Sequence, residues 1–348
     1  MGGMILKKLT ALGTRGYFSS ATVELTARCN LSCRYCFVRP DGPEMTTDEI
    51  CRMFDKLADA GVLTLMLTGG EVFVRDDILE ILDYIGQKNF LMMSILSNGT
   101  LIGKEHVDYL SDHRNQIGFV RLSFFSHDPS IHDSFTGVPG SFERALHSAL
   151  VLRGRGVNVP ILINLIDENV DTLAETKRFF SEQGFTVSEG VTKIAAADGS
   201  GYCEQLISES FFERYFKGFA DDELSHFHRK PDESQTVAPK DSVLCQRLFS
   251  SIAIRADGSI VPCIAFRDHS VADIREVSDD LQKVLRDSAL IRELHELKVT
   301  DVAQCASCEH IRMCLFCPGM MYSENRSFLK PVRQNCNYIK ALNDVSRR

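Results

Sequence analysis

The sequence predicts an α/β protein: a parallel sheet of about six strand–helix units, followed by a small cysteine-rich unit. Three observations predict it. From Ala21 to about Ile194, short β-rich runs alternate with helical ones. The β-rich runs read as continuous apolar stretches, as expected of strands covered by helices in a parallel sheet. Of twelve cysteines, three lie between Cys29 and Cys36 and seven from Cys245 onward, with Cys51 and Cys203 alone. Right-handed crossovers curl such a sheet toward a barrel, although six units are too few to close one of eight strands.

The first strand-like run is Val23–Thr26, and a helix starts near Thr46. Thr46 and Glu49 have capping-box spacing, and Ile50, Met53, Phe54, Leu57 and Ala58 recur on one face. Leu63–Leu67, a helix over Ile78–Ile85, Leu91–Leu96 and a short helix after Gly103 come next. Phe119–Phe125, a helix over Phe142–Arg153, Val159–Ile166, a helix over Thr172–Gln183 and Val187–Ile194 complete the series. The segment from Ser126 to Phe142 reads as loop; His127 and His132, five apart on a Pro-containing turn, make a poor ligand pair. Beyond Ala195 the periodicity fades into a loop, an aromatic helix over Phe211–Phe219 and a polar stretch around Asp221–Lys240. The expected organisation is an N-terminal extension (1–20), a core domain (21–220), a linker (221–242) and a C-terminal domain (243–348).

Hydrophobic content of 44% and charged content of 25% are ordinary for a globular chain of 348 residues. Thirty-nine basic against 47 acidic residues give a net charge of −8, and no basic run appears, which argues against a nucleic-acid partner. No stretch approaches the length of a membrane span, and Met1–Tyr17 has no apolar signal region, so a soluble cytoplasmic protein is expected. In that compartment thiols stay reduced, which favours metal binding over disulfides.

The cysteines carry the chemistry. Cys29, Cys33 and Cys36 form a C-x3-C-x2-C array directly after the first strand. Three thiolates on one loop can hold three irons of a cubane cluster and leave the fourth open for chemistry. A zinc site would want a fourth ligand, and the loop offers no His or acid in the right place. With Tyr35 before its last cysteine, the array resembles the cluster loop of radical S-adenosylmethionine (radical SAM) enzymes. That resemblance implies a partial (β/α)6 barrel, with SAM chelated at the open iron and cleaved to a 5′-deoxyadenosyl radical. Thr68-Gly69-Gly70-Glu71, at the end of the second strand, looks like the family motif that holds the SAM amino group, with the Glu71 carboxylate suited to an ammonium. Asn98, in a turn after the third strand, is a candidate ribose contact. Ser123, in the fourth strand, matches the family's polar residue near the SAM carboxylate or ribose. Arg144 could pair with that carboxylate, or be a solvated helix residue.

Downstream, Asp257-Gly258 between apolar runs signals a hairpin that would bring Cys245 and Cys263 within reach of one metal. A helix over Leu281–Leu297 precedes Cys305-x2-Cys308-x5-Cys314-x2-Cys317 and a single Cys336. Five residues between knuckles are short for a zinc ribbon. The order closely resembles the SPASM domain, which binds auxiliary 4Fe–4S clusters in radical SAM peptide and protein maturases. One departure is the x2 before Cys317, where x3 is usual. The carried-over pattern puts Cys305, Cys308, Cys314 and Cys336 on an outer cluster and Cys245, Cys263 and Cys317 on an inner one. The inner fourth position is then open, or filled by Cys203, a non-Cys ligand or the substrate.

The resemblance implies an enzyme with three 4Fe–4S clusters and SAM that modifies a peptide or protein. Cross-linking a ribosomally made precursor peptide, by a thioether or carbon–carbon bond, is the first expectation. A tetrapyrrole-modifying enzyme of the haem pathway, a sulfatase-maturing type and a non-enzymatic cluster scaffold are the alternatives. Its expected partners are the precursor peptide and an external electron donor of flavodoxin or ferredoxin type. A separate leader-binding protein joins them, since fewer than 25 residues precede the first strand.

Overall fold

A computed structural model describes residues 17–38, 42–191, 207–208, 210–217, 242–278, 280–311, 314 and 316–346. Cys203, the loop around Ala195, most of the linker and the N-terminal extension before Tyr17 lie outside them. The first part of the chain runs β1 (Ser20–Glu24), α1 (Thr47–Asp59), β2 (Thr64–Thr68), α2 (Ile78–Gly86), β3 (Met92–Ser97), α3 (Lys104–Asp112) and β4 (Ile117–Phe124). It continues with α4 (Pro129–Thr136), α5 (Ser141–Gly154), β5 (Ile161–Leu165), α6 (Leu173–Glu182), β6 (Val187–Val191) and α7 (Phe211–Lys217). Strands β1 to β6 pair in sequence order, all parallel, as a partial barrel requires.

The helices form where local chemistry favours them. Thr46 and Glu49 close the expected capping box on α1: the Thr46 N–H donates to Glu49 Oε2 at 2.8 Å, and the Glu49 N–H to Thr46 Oγ1 at 3.3 Å. Ile50, Met53, Phe54 and Leu57 then bury one face against the sheet. The span read as loop after β4 contains α4, a correction with a visible cause. Asp128 accepts from the Ser130 N–H at 2.7 Å as N-cap, and Pro129 is pre-set for the first helical position. Gly137 at φ 73° ends the helix. The two histidines of this span have structural partners: His132 accepts from the Phe125 N–H at 3.3 Å, and His127, just before the helix, bonds Thr176 at 2.9 Å.

The C-terminal part holds β7 (Ser251–Ile254), β8 (Ser259–Val261), β9 (Ala272–Asp273), α8 (Leu281–Asp287), α9 (Ala289–Glu296), α10 (Ala303–Ala306), α11 (Pro318–Asn325) and α12 (Arg333–Ser346). The Asp257-Gly258 hairpin forms as read, with Ile254 opposite Ile260. It does not stand apart from the core. Strand β7 pairs in parallel with β1, giving one nine-stranded sheet in the order β6-β5-β4-β3-β2-β1-β7-β8-β9. The helix expected over Leu281–Leu297 is two, because Ser288 leaves the helical region (ψ 124°) and its side chain caps α9 by accepting from the Ile291 N–H.

Gln282 on α8 ties the two parts together. It is 4% exposed, accepts from the Phe18 N–H at 3.0 Å and donates to the carbonyls of Phe18 (2.9 Å) and Ala60 (2.8 Å). Gln282→Ala strands three main-chain groups away from water, so it should lower the unfolding free energy by about 2–4 kcal/mol. Urea denaturation of the variant measures this, and a change below about 0.5 kcal/mol would show that the link is idle.

Candidate active site

The opening loop leaves the sheet at the C-terminal end of β1. Cys29 is exposed, Cys33 and Cys36 are half-buried, and the described cysteines are free thiols. Burial pushes the Cys33 thiol up to about 12, and its neighbours Cys29 and Cys36 push the same way. Burial also raises Cys29, with Glu71 and Cys36 adding to the rise and the Leu31 N–H and Asn98 amide opposing it. Cys29 and Cys36 thus oppose ionisation of Cys33, and Cys36 that of Cys29, a penalty that positive charge near the loop would relieve. An all-sulfur donor set with one exposed side fits a four-iron cluster with an accessible corner.

The loop is held from three directions. Gly70 N–H donates to the Thr26 carbonyl at 2.8 Å, and the Glu71 N–H to the Arg28 carbonyl at 2.9 Å. A Cβ on Gly69 would stand 2.2 Å from Thr26 O, and one on Gly70 2.2 Å from Arg28 O. The two glycines therefore let the turn after β2 press main chain to main chain against the loop. From a second side, Ser32 and Arg34 donate their N–H groups to the Thr136 and Phe135 carbonyls at the end of α4, at 2.9 and 3.3 Å. Tyr35 packs its ring against Phe125 and Phe135, with centroids at 5.4 and 5.7 Å. On the third side Cys36 and Phe37 pack on Ala27, Val38 and the hairpin residue Ala256.

Glu71 does not offer its carboxylate outward. It is 0% exposed and accepts from the Phe73 N–H (3.1 Å), Ser97 hydroxyl (2.8 Å) and Asn98 N–H (2.7 Å). Burial pushes its pKa up while these donors oppose the rise. The carboxylate clamps the turn after β2 to the turn after β3. Asn98 reaches Cys29 Sγ at 3.7 Å and Asn30 Oδ1 at 3.0 Å through its amide nitrogen. Ser123 is half-buried on β4 beside Leu162 of β5. Arg144 is exposed near the start of α5 and donates to the Pro139 carbonyl at 3.4 Å.

The C-terminal thiols fall into two neighbourhoods. Burial raises the Cys263 and Cys317 thiols, Cys317 to about 11; Cys245 adds to the rise of both, and Cys263 to that of Cys317. Burial pushes the Cys305 thiol to about 11, with Cys336 and Cys308 adding to the rise, and burial and Cys308 raise Cys336. Cys314 is half-buried.

Sequence reading missed two residues that hold the opening loop. Glu44 accepts from Thr26 Oγ1 (2.6 Å), the Ala27 N–H (2.7 Å) and the Arg28 N–H (3.2 Å), and also pairs with the Arg28 side chain. Arg75 is 7% exposed, donates to the Leu25 and Met45 carbonyls at 3.1 and 3.4 Å, and pairs with Asp77. Neither sits in a motif. The one signal was an acid and a base near a loop full of main-chain donors and acceptors.

Two predictions follow from these contacts. Gly70→Ala forces two main-chain segments apart and should cost about 1–3 kcal/mol, measured by denaturation of the apo-protein; wild-type stability would mean that the turn is not pinned to the loop. The Glu44 pKa is depressed by its Thr26, Ala27 and Arg28 donors, which outweigh its burial. A carboxyl depressed on folding contributes stability in full above its unfolded pKa of about 4.5, and loses it as pH falls through the folded value. Glu44→Gln should therefore be less stable than wild type at pH 7, with the gap closing below about pH 4. A gap independent of pH would exclude the charge as its cause.

Residues 23–180 match the radical SAM superfamily model, and residues 245–309 match the SPASM iron–sulfur cluster-binding domain. The chain is 27% identical over 341 residues to the antilisterial bacteriocin subtilosin biosynthesis protein AlbA of Bacillus subtilis, covering 93% of this chain and 72% of AlbA. It is 23% identical over 326 residues to the AdoMet-dependent heme synthase of Nitratidesulfovibrio vulgaris, covering 86% and 87%. The fold matches that of Streptococcus suis SuiB, solved with S-adenosylmethionine and with its precursor peptide SuiA (TM-score 0.71 in both), at 19% and 18% identity over 95% of this chain and 80% and 79% of SuiB. With β1 to β6 as its core sheet and the SPASM region joined to it through β7, the chain is a radical SAM superfamily enzyme.

Proposed function

We propose that the enzyme is a peptide maturase that cross-links a ribosomally made precursor through a thioether or carbon–carbon bond. The observation that carries this reading is the pairing of one open three-thiol loop with two separate groups of C-terminal thiols. Likeness to AlbA along 93% of the chain supports it. Cys29, Cys33 and Cys36 would hold the SAM-binding cluster. Cys305, Cys308, Cys314 and Cys336 would hold the outer auxiliary cluster, with Cys245, Cys263 and Cys317 on the inner one. When bound, these groups supply reductive cleavage of SAM, hydrogen abstraction from an unactivated carbon, and acceptance of the electron left over.

The chain's own residues position and exclude. The main chain of Gly69 and Gly70 would face the SAM ammonium, with Glu71 behind it as the clamp that holds this turn in place. Asn98 would orient the ribose side, and Ser123 and Arg144 would approach the carboxylate. Parallel sheets carry ligands at the C-terminal ends of their strands, which is where these turns lie. The sheet must also keep water from the radical and hold the target carbon close. The expected setting is the cytoplasm, with a flavodoxin- or ferredoxin-type donor and a separate leader-binding protein as partners. A second reading, modification of a haem-pathway tetrapyrrole, rests on likeness to the heme synthases.

Anaerobic reconstitution should give about twelve irons per chain, and replacing Cys29, Cys33 and Cys36 together by Ala should remove about four of them and abolish SAM cleavage. With a peptide encoded beside the enzyme's gene, the product should lose two hydrogens per cross-link by mass spectrometry. Cleavage by the triple variant would overturn the site. An unaltered peptide together with a decarboxylated haem precursor would select the second reading.

A further inference from the structure

The opening loop meets the C-terminal part at an ion pair whose anion is buried and whose cation is half-buried. Glu24, the last residue of β1, is 2% exposed and pairs with Arg267, which lies between β8 and β9. The Arg267 guanidinium also lies over the Phe37 ring, 5.4 Å from its centroid, and Phe37 follows Cys36 directly. Both partners are locked. The Arg267 carbonyl accepts from the Arg255 side chain, which Asp257 holds in the hairpin turn. The hairpin is tied to the loop's far end by the Met45 N–H, which donates to the Ala256 carbonyl at 2.9 Å. Thus the cation comes from the C-terminal part and the anion from the barrel, and both sit beside the third cysteine. Glu24 is shielded from solvent and Arg267 is half-buried, so each acts on nearby groups with more than its surface weight. Their effects on the Cys36 thiol are opposite: Arg267 lowers its pKa and Glu24 raises it, beneath a larger rise from burial.

We propose that the Glu24–Arg267 pair sets the reduction potential of the cluster held by the opening loop, making the C-terminal part an electrostatic component of the SAM-cleaving site. The inference rests on the reading that this loop holds a redox cluster. Reduction adds negative charge to the cluster, so an unbalanced anion beside it opposes reduction and an unbalanced cation favours it. A purely structural brace has no such sign. Breaking it from either side would disturb the loop in the same direction.

The test is a redox titration of the reconstituted full chain, following the EPR signal that changes when SAM is added. Arg267→Gln leaves Glu24 unbalanced and should lower the one-electron reduction constant by about tenfold, about 59 mV. Glu24→Gln leaves Arg267 unbalanced and should raise it by a similar factor. The double variant should return close to wild type, and Arg267→Lys should restore most of the potential while losing the guanidinium stack on Phe37. Shifts of the same sign from the two single variants, or no shift in either, would overturn the proposal. If the Cys29, Cys33 and Cys36 triple variant keeps its full iron content, the underlying assignment of the loop has failed, and that iron count tells the two failures apart.

Discussion

The contact on which the site depends is main chain against main chain: Gly69 and Gly70 pressed onto Thr26–Arg28. A thiol loop that held irons at bonding distance could not wander by an ångström, yet loops are the least constrained parts of a fold. Here the constraint comes from the neighbouring strand. Adjacent parallel strands end at the same level, so the turn after β2 lies alongside the loop after β1. Removing both side chains lets the two segments exchange hydrogen bonds almost as a sheet would. The glycines serve the protein's own backbone first, and any ligand sees a turn that is already placed.

Buried charge then extends this placement outward. Glu71 joins the turn after β2 to the one after β3, Glu44 gathers the amides at the start of the opening loop, and Arg75 collects the carbonyls beneath it. In each case a charged side chain, buried in Glu71 and Arg75 and half-buried in Glu44, satisfies several main-chain groups that the loop geometry leaves unpaired. The same donors that hold Glu71 occupy it. Its part in the structure is that of a rigid support for the turn.

What was legible in the sequence was local or periodic. The capping box at Thr46 and Glu49 needs only residues three apart, and the Asp257-Gly258 hairpin only a turn between apolar runs. The alternation of apolar runs sufficed for the parallel order of β1 to β6. The division of the C-terminal cysteines into two sets came only from the resemblance to the SPASM pattern; in the structure Cys263 and Cys245 both add to the rise of the buried Cys317 thiol. Helix α4 was missed although its Asp-Pro start and Gly end were in plain view, because Pro and the histidines drew attention to a turn. The break at Ser288 was hidden because both halves share one apolar rhythm. Glu24, Glu44, Arg75 and Arg267 were illegible for a different reason. Each matters through partners far along the chain, and no spacing rule encodes a contact across 243 residues.

The pairing of β7 with β1 changes what the C-terminal part is. As an appended domain it would bring cofactors near the barrel and no more. As the next parallel strand beside β1, it flanks the strand that launches the opening loop, opposite β2. The loop therefore lies between two turns, one from each neighbour, with the end of α4 against a third side. A loop confined in this way has already lost the freedom that binding a cluster would otherwise remove. The same confinement ties its charge environment to the C-terminal part, since the cation facing Glu24 arrives with the hairpin. Gln282 fastens the other end of this junction, bonding the chain just before β1 and the end of α1. Movement of the C-terminal part as a rigid body would thus have to break a sheet edge, a buried amide and the Glu24–Arg267 ion pair together, which makes the two parts one mechanical and electrostatic unit.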